Sequence, residues 1–180
     1  YSVMDYIGEY REPFRWASDD LYHPDMKDYV EGNYSADNQL GDEAEARKGE
    51  SRLWKYYEGI RKASTFIVNV DRCPELTMDE IADMKGQARF LRAYCYWALI
   101  RVYGPVPLIP LEGLDVNLSY EELSLPREHF DNLVDFIDQE LAESARSLPT
   151  KRTVNNLGRP TRGAALGLRS RVLLLSLIHI

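Results

Sequence analysis

From Ile81 to Val102 the apolar residues recur at every third or fourth position without a break: Ile81, Met84, Ala88, Leu91, Cys95, Ala98, Val102. A stripe that long fits only a helix of about six turns, because a strand would alternate with period two. Both of its ends are marked. Thr77 followed by Glu80 has the spacing of a capping box, and Gly104-Pro105 supplies a stop. The chain must therefore fold around one long helix with something apolar on its flank.

Three further stripes supply partners. Leu53, Tyr57, Ile60, Ala63, Ile67 and Val70 predict a helix over about 51–70. Its link to the long helix, Asp71 to Leu76, is short, so the two are expected to pack antiparallel. Phe130, Val134, Ile137, Leu141, Ala145 and Leu148 predict a third helix, which begins after Ser124 and Pro126 and ends at Pro149. A fourth starts at Thr161 and carries Ala165, Leu168 and Val172. A weaker helix is expected over Met4 to Trp16. No strand signal of comparable length exists, so the fold class is all-α. Trp54, Tyr57, Tyr94 and Trp97 lie on or beside these stripes and read as core. Asp135, Asp138, Glu140 and Glu143 read as the solvated face of the third helix.

Two stretches resist periodic reading. Tyr103 to Leu125 passes through Gly104, Pro105, Pro107 and Pro110, which favours an extended path. A connection of that length is usually functional or clamped to the surface. Ser18 to Glu50 is polar and rich in Asp, Asn, Gly and Tyr, and reads as a large loop. No internal repeat of about 34 residues is found.

Composition narrows the function. The chain has 180 residues and a net charge of −7, which argues against a nucleic-acid partner. No run of about 18 apolar residues is present to span a membrane. Cys95 lies on the apolar stripe, roughly 27 Å along its helix at about 1.5 Å per residue, whereas Cys73 can reach only roughly 14 Å from that helix's start, so the two are not expected to pair. His23, His129 and His179 have no metal-ligand spacing, and no Cys-x-x-Cys is present. No metal or cofactor is expected. There is no G-x-S-x-G and no phosphate-cradling glycine loop.

The aromatic residues are the better lead, with 12 Tyr and 3 Trp against 5 Phe. Tyr22, Tyr29 and Tyr34 fall in the polar loop together with His23, Asn33 and Asn38, away from any helical stripe. Flat rings that stack on C–H faces, with amides that hydrogen-bond hydroxyls, are the chemistry of a sugar site. Asp19, Asp20 and Asp25 lie in the same loop. They read either as solvated loop acids or as the carboxylate pair of a glycosidase, which needs a separation of roughly 5 to 10 Å.

The long helix and its exit carry a signature: Lys85-Gly86-Gln87-Ala88-Arg89-Phe90-Leu91-Arg92-Ala93-Tyr94-Cys95-Tyr96-Trp97, then Val102-Tyr103-Gly104-Pro105-Val106-Pro107-Leu108. This strongly resembles the SusD/RagB family of outer-membrane nutrient-binding lipoproteins of the Bacteroidota. Trp54-x-x-Tyr57-x-x-Ile60-x-x-Ala63 looks like that family's preceding helix. Gly158-Arg159 with Ala164-Ala165-x-x-Leu168-x-x-Arg171-Val172-x-Leu174 looks like its next one. The likeness covers about 51–174.

The resemblance implies a tetratricopeptide-like scaffold of helical pairs. It also implies a lipid anchor, exposure on the cell outer membrane, capture of an oligosaccharide or polysaccharide (or a peptide), and delivery to a SusC-like TonB-dependent transporter. It implies no enzymatic activity. In the starch-binding archetype part of the sugar site lies between the first helix and the helix carrying Trp54, here about Arg11 to Asn38. Tyr10-Arg11 and Phe14 match a Tyr-Arg-x-x-Phe pattern there, and Asp19 or Asp20 matches a following acid. Tyr22 falls near a sugar-stacking tryptophan, a departure in residue type that leaves the glycan open. The candidate ligand residues are therefore Arg11, Tyr22, His23, Tyr29, Asn33, Tyr34 and Asn38. A helical-repeat adaptor for protein partners is the alternative from a different class.

Family members run to several hundred residues, so residues 1–174 are expected to be the N-terminal portion of such a protein, without the lipid-bearing cysteine. Position 1 is Tyr, so any targeting peptide lies upstream or has been removed. Leu175-Ser176-Leu177-Ile178-His179-Ile180 is similar to the translation of a common transposase adapter, so 175–180 is expected to be a non-native tail. The other reading of those six residues is a last apolar helix turn. The fourth helix is expected to leave part of its surface uncovered.

Overall fold

The structure is a computed structural model that describes residue 31 and residues 52–178 apart from 116. The chain divides into two compact units, 1–56 and 57–180. Nearly all described residues belong to the second unit.

The described residues are all-α. Helix α1 spans Arg52–Asn69, α2 Met78–Tyr103, α3 Tyr120–Leu123, α4 Phe130–Ser147 and α5 Arg162–Ile178, with 3-10 turns at Val70–Arg72 and Val154–Asn156. The four stripes thus sit on four helices whose ends fall close to those expected. The Thr77 side chain accepts from the Glu80 N–H while the Glu80 carboxylate accepts from the Thr77 N–H, so the capping box is formed. At the other end Gly104 adopts φ 66, a left-handed value that favours glycine, and its N–H closes the last turn on Ile100. The one-turn helix α3, with its own Ser119–Glu122 capping box, was not expected inside the proline-rich connection.

The four long helices, α1, α2, α4 and α5, pair antiparallel in chain order. Tyr57, early in α1, meets Tyr96, late in α2, edge to face with ring centroids 6.5 Å apart. Asp71, beyond the end of α1, pairs at 2.6 Å with Lys85, early in α2. Between α2 and α4, Gly86 lies against Ser147 and Leu148, while Tyr96 meets Phe136 at 5.3 Å. Between α4 and α5, Ala165 packs with Ala145 and Leu148, and Arg169 grips Asp138 with two bonds of 2.6 and 3.0 Å.

Helix α2 is central. Its predicted stripe is buried at Ile81, Ala88, Cys95 and Ala98, but Met84, Leu91 and Val102 are only half-buried. Burial continues around the helix, through Leu99 and Arg92 beside the stripe to Tyr96, Ile100, Ala93 and Gly86 on the far side. A helix enclosed from both sides belongs to the middle of a layered bundle. Of the four aromatic residues read as core, Trp97 is buried, Tyr57 and Tyr94 are half-buried, and the side chain of Trp54 lies outside the described set. The fully enclosed aromatic residue is Tyr96.

The outward reading of the α4 acids needs correction. Asp135 and Glu143 are exposed, but Glu140 is only 7% exposed and Asp138 is engaged by Arg169. Burial of Glu140 is permitted because two guanidinium groups of α2 meet it. Helix α5 buries Ala165, Leu168 and Val172 and leaves Leu166, Leu173 and Leu174 exposed. Its helical course continues to Ile178. Cys73 and Cys95 are both free, and burial pushes the Cys95 thiol up to about 12.

Candidate functional site

The candidate sugar-contacting residues, Arg11, Tyr22, His23, Tyr29, Asn33, Tyr34 and Asn38, lie outside the described residues, as do Asp19, Asp20, Asp25 and the expected first helix. Glu31, in their midst, is an exposed turn residue. The described part contains the frame on the C-terminal side of this segment, and the signature residues show what that frame does.

The exit of α2 is fastened carbonyl by carbonyl. Arg127 Nη1 donates to the carbonyl oxygens of Tyr103 and Pro105 at 2.9 and 2.8 Å. The Glu128 N–H donates to the Val106 carbonyl at 3.2 Å. The Tyr57 hydroxyl donates to the Pro107 carbonyl at 2.8 Å. Arg92 Nη2 donates to the Ile109 carbonyl at 3.0 Å, and the Ile109 N–H donates to the Tyr96 hydroxyl at 2.9 Å. Proline cannot donate, so a Gly-Pro-Val-Pro segment depends on such outside donors to satisfy its carbonyls. The connection is clamped, as one of the two expectations for it held.

Beneath this clamp sits a charged cluster. Arg89 bonds one oxygen of Glu140, and Arg92 Nη1 lies 3.7 Å from the other. Arg92 also stacks its guanidinium 4.9 Å from the centre of the Phe136 ring. Burial raises the Glu140 carboxyl above its ordinary value, and the two arginines oppose that rise. Burial likewise pushes the Tyr96 hydroxyl up to about 12 and raises that of Tyr57. Arg101 sits over Trp97 at 5.4 Å. Arg89 and Arg92 therefore hold a carboxylate, a carbonyl and a ring of neighbouring elements.

A groove of about 690 Å³ that the periodic reading missed runs along α1 and the turn after it. Phe66, Val70 and Leu76 give it an apolar floor, with Arg61, Asn69 and Glu58 beside them. The signal was present: Phe66 and Asn69 are off the buried stripe of α1, and Phe66 is 40% exposed. A ring with an amide and a guanidinium beside it can stack on and hydrogen-bond a polyhydroxylated ligand. Among the described residues no group of three or more His, Cys, Asp and Glu side chains could hold a metal ion, and no helix is long and apolar enough to cross a membrane.

Helical pairs around an enclosed α2, with its exit tied down by signature residues, define a class of helical scaffold. Comparison with known proteins places it. The model of a SusD-like family, described as starch-binding and associating with the outer membrane, matches residues 16–174. The chain belongs to the SusD-like family. SusD-like protein P25 of Formosa agariphila is 24% identical over 166 residues, covering 85% of this chain and 31% of that protein. The crystal structure of a SusD-like protein from Bacteroides fragilis superposes with a TM-score of 0.70 at 24% identity, covering 94% of this chain and 33% of that one. Surface glycan-binding protein A from Bacteroides uniformis superposes with a TM-score of 0.59 at 26% identity, covering 67% of this chain and 26% of that one. The chain thus spans about a third or less of the length of these relatives.

Proposed function

We propose that this chain is the N-terminal portion of a lipid-anchored protein of the outer cell surface. That protein captures an oligosaccharide without chemical change and delivers it to a SusC-like TonB-dependent transporter. The observation that carries the reading is the family match over residues 16–174, which reaches from the tyrosine-rich loop through the clamped scaffold. Its likeness to a surface glycan-binding protein of Bacteroides uniformis supports it.

The division of labour is physical. Arg89, Arg92 and Tyr96 of the signature are engaged within the scaffold, so ligand choice falls to the loop that precedes it. There Tyr22, Tyr29 and Tyr34 stack on pyranose faces, while Arg11, His23, Asn33 and Asn38 hydrogen-bond hydroxyls. No covalent step is required of Asp19, Asp20 or Asp25, and the net charge of −7 leaves nucleic acid disfavoured.

Affinity electrophoresis through gels containing starch, laminarin or xyloglucan tests this reading. Retardation by one polysaccharide is expected, and a Tyr22→Ala/Tyr34→Ala variant with an unchanged melting temperature should migrate freely. Equal migration of both forms in every gel, together with capture of a protein partner, would favour the adaptor reading instead.

A further inference from the structure

The connection between α4 and α5 is built unlike a solvated loop. Lys151-Arg152-Thr153-Val154-Asn155-Asn156-Leu157-Gly158-Arg159-Pro160-Thr161-Arg162 holds four cations and no carboxylate, in a chain with a net charge of −7. One cation is structural. Arg152 forks onto both oxygens of Asp83 at 2.6 and 2.8 Å and also donates to the Pro160 carbonyl. The other three, Lys151, Arg159 and Arg162, are exposed and form no ion pair with another described residue.

The loop is also ordered from within. The Asn156 N–H donates to the Thr153 carbonyl, the Arg159 N–H to the Asn156 carbonyl and the Arg162 N–H to the Pro149 carbonyl. Gly158 takes φ 89, a turn that a side chain would strain. This fixed frame presents Val154 at 82% and Leu157 at 72% exposure. Single exposed apolar side chains are ordinary on protein surfaces. Two of them on one hydrogen-bonded loop, within a twelve-residue stretch that also carries three exposed cations without an ion pair among the described residues, form a combination suited to a bilayer interface. There the apolar tips enter the acyl boundary and the cations meet anionic headgroups.

We propose that the Lys151–Arg162 loop is a membrane-contact site for anionic lipid, with Val154 and Leu157 inserted and Lys151, Arg159 and Arg162 against the headgroups. The inference rests on the outer-membrane association in the proposed function, and adds a second contact to the expected lipid anchor. Such a contact would set the orientation of the scaffold over the bilayer.

The test is co-sedimentation of the 180-residue protein with vesicles of phosphatidylglycerol and phosphatidylcholine, against vesicles of phosphatidylcholine alone. Binding at least tenfold stronger to the anionic vesicles is expected, and it should weaken as salt rises. Val154→Asp/Leu157→Asp should reduce it at least tenfold. Arg159→Gln/Arg162→Gln should reduce it severalfold and flatten its salt dependence. All four side chains are exposed, so melting curves should be unchanged.

Equal sedimentation with both vesicle types, or variants that bind as the parent does, overturns the proposal. So does a loop-dependent complex with a protein partner without vesicle binding. Polysaccharide retardation of the same variants separates the two readings. The loop variants should keep it, and its loss from the Tyr22→Ala/Tyr34→Ala variant should leave vesicle binding intact.

Discussion

At the scale of single residues, Glu140 matters most. It is enclosed, it bonds Arg89, and it lies beside Arg92, whose guanidinium fastens the Ile109 carbonyl. Removing one partner of a buried charge group strands the others, at a cost of about 3–5 kcal/mol. Glu140→Ala should therefore lower unfolding stability by about 3 kcal/mol, the low end, since Arg92 keeps its carbonyl and ring. Chemical denaturation would measure it. Arg146, paired with Glu143 in the open, gives the contrast: Arg146→Ala should cost about 0–1 kcal/mol. Equal losses at the two sites would show that the buried cluster adds nothing to the scaffold. Periodicity misplaced Glu140 because a helical wheel knows only its own helix. The arginines that admit this carboxylate stand on α2, far away in sequence.

Between elements, α2 and α4 come close together at Gly86. A Cβ on Gly86 would stand 3.0 Å from the Ser147 Cβ and 3.3 Å from the Leu148 side chain, while the Gly86 carbonyl accepts from the Ser144 hydroxyl at 2.8 Å. Gly86→Val should overpack this seam and cost about 1–3 kcal/mol, read as a lower denaturation midpoint. A neutral outcome would mean the two helices can separate freely. The start of α2 should be acid-sensitive. Hydrogen bonds from Thr77 hold Glu80 below the ordinary carboxylate range. A depressed folded pKa gives stability that is present above the unfolded value and lost as pH falls through the folded one. Glu140, with its raised pKa, acts in the opposite sense, because protonation favours its folded form. A Glu80→Gln variant should show a flatter fall in melting temperature below about pH 4.5 than the parent, and an unchanged slope would exclude the capping box as its source. Helix positions were legible because stripe, cap and stop agreed for α2, and stripe and proline agreed for α4. Helix α3 was not, since four residues are too short for a period to register. Nor was the burial of Tyr96, which lies off the stripe and is enclosed by Tyr57 and Phe136 from two other helices.

For the whole molecule, scaffold and site were legible to different degrees. The scaffold could be read because helical periods and the signature both fix which side of a helix turns inward. The candidate site, Arg11 to Asn38, rests on residue chemistry and family likeness, because a loop has no period that fixes where a side chain points. The central claim is capture without turnover. Saturation-transfer NMR on the protein mixed with starch, laminarin and xyloglucan oligosaccharides tests it most directly, followed by chain-length analysis of the recovered sugars. The account predicts transfer to the protons of at least one oligosaccharide, with its length unchanged after prolonged incubation. Absence of transfer to every sugar, or shortened products that vanish in an Asp20→Asn variant, would contradict it.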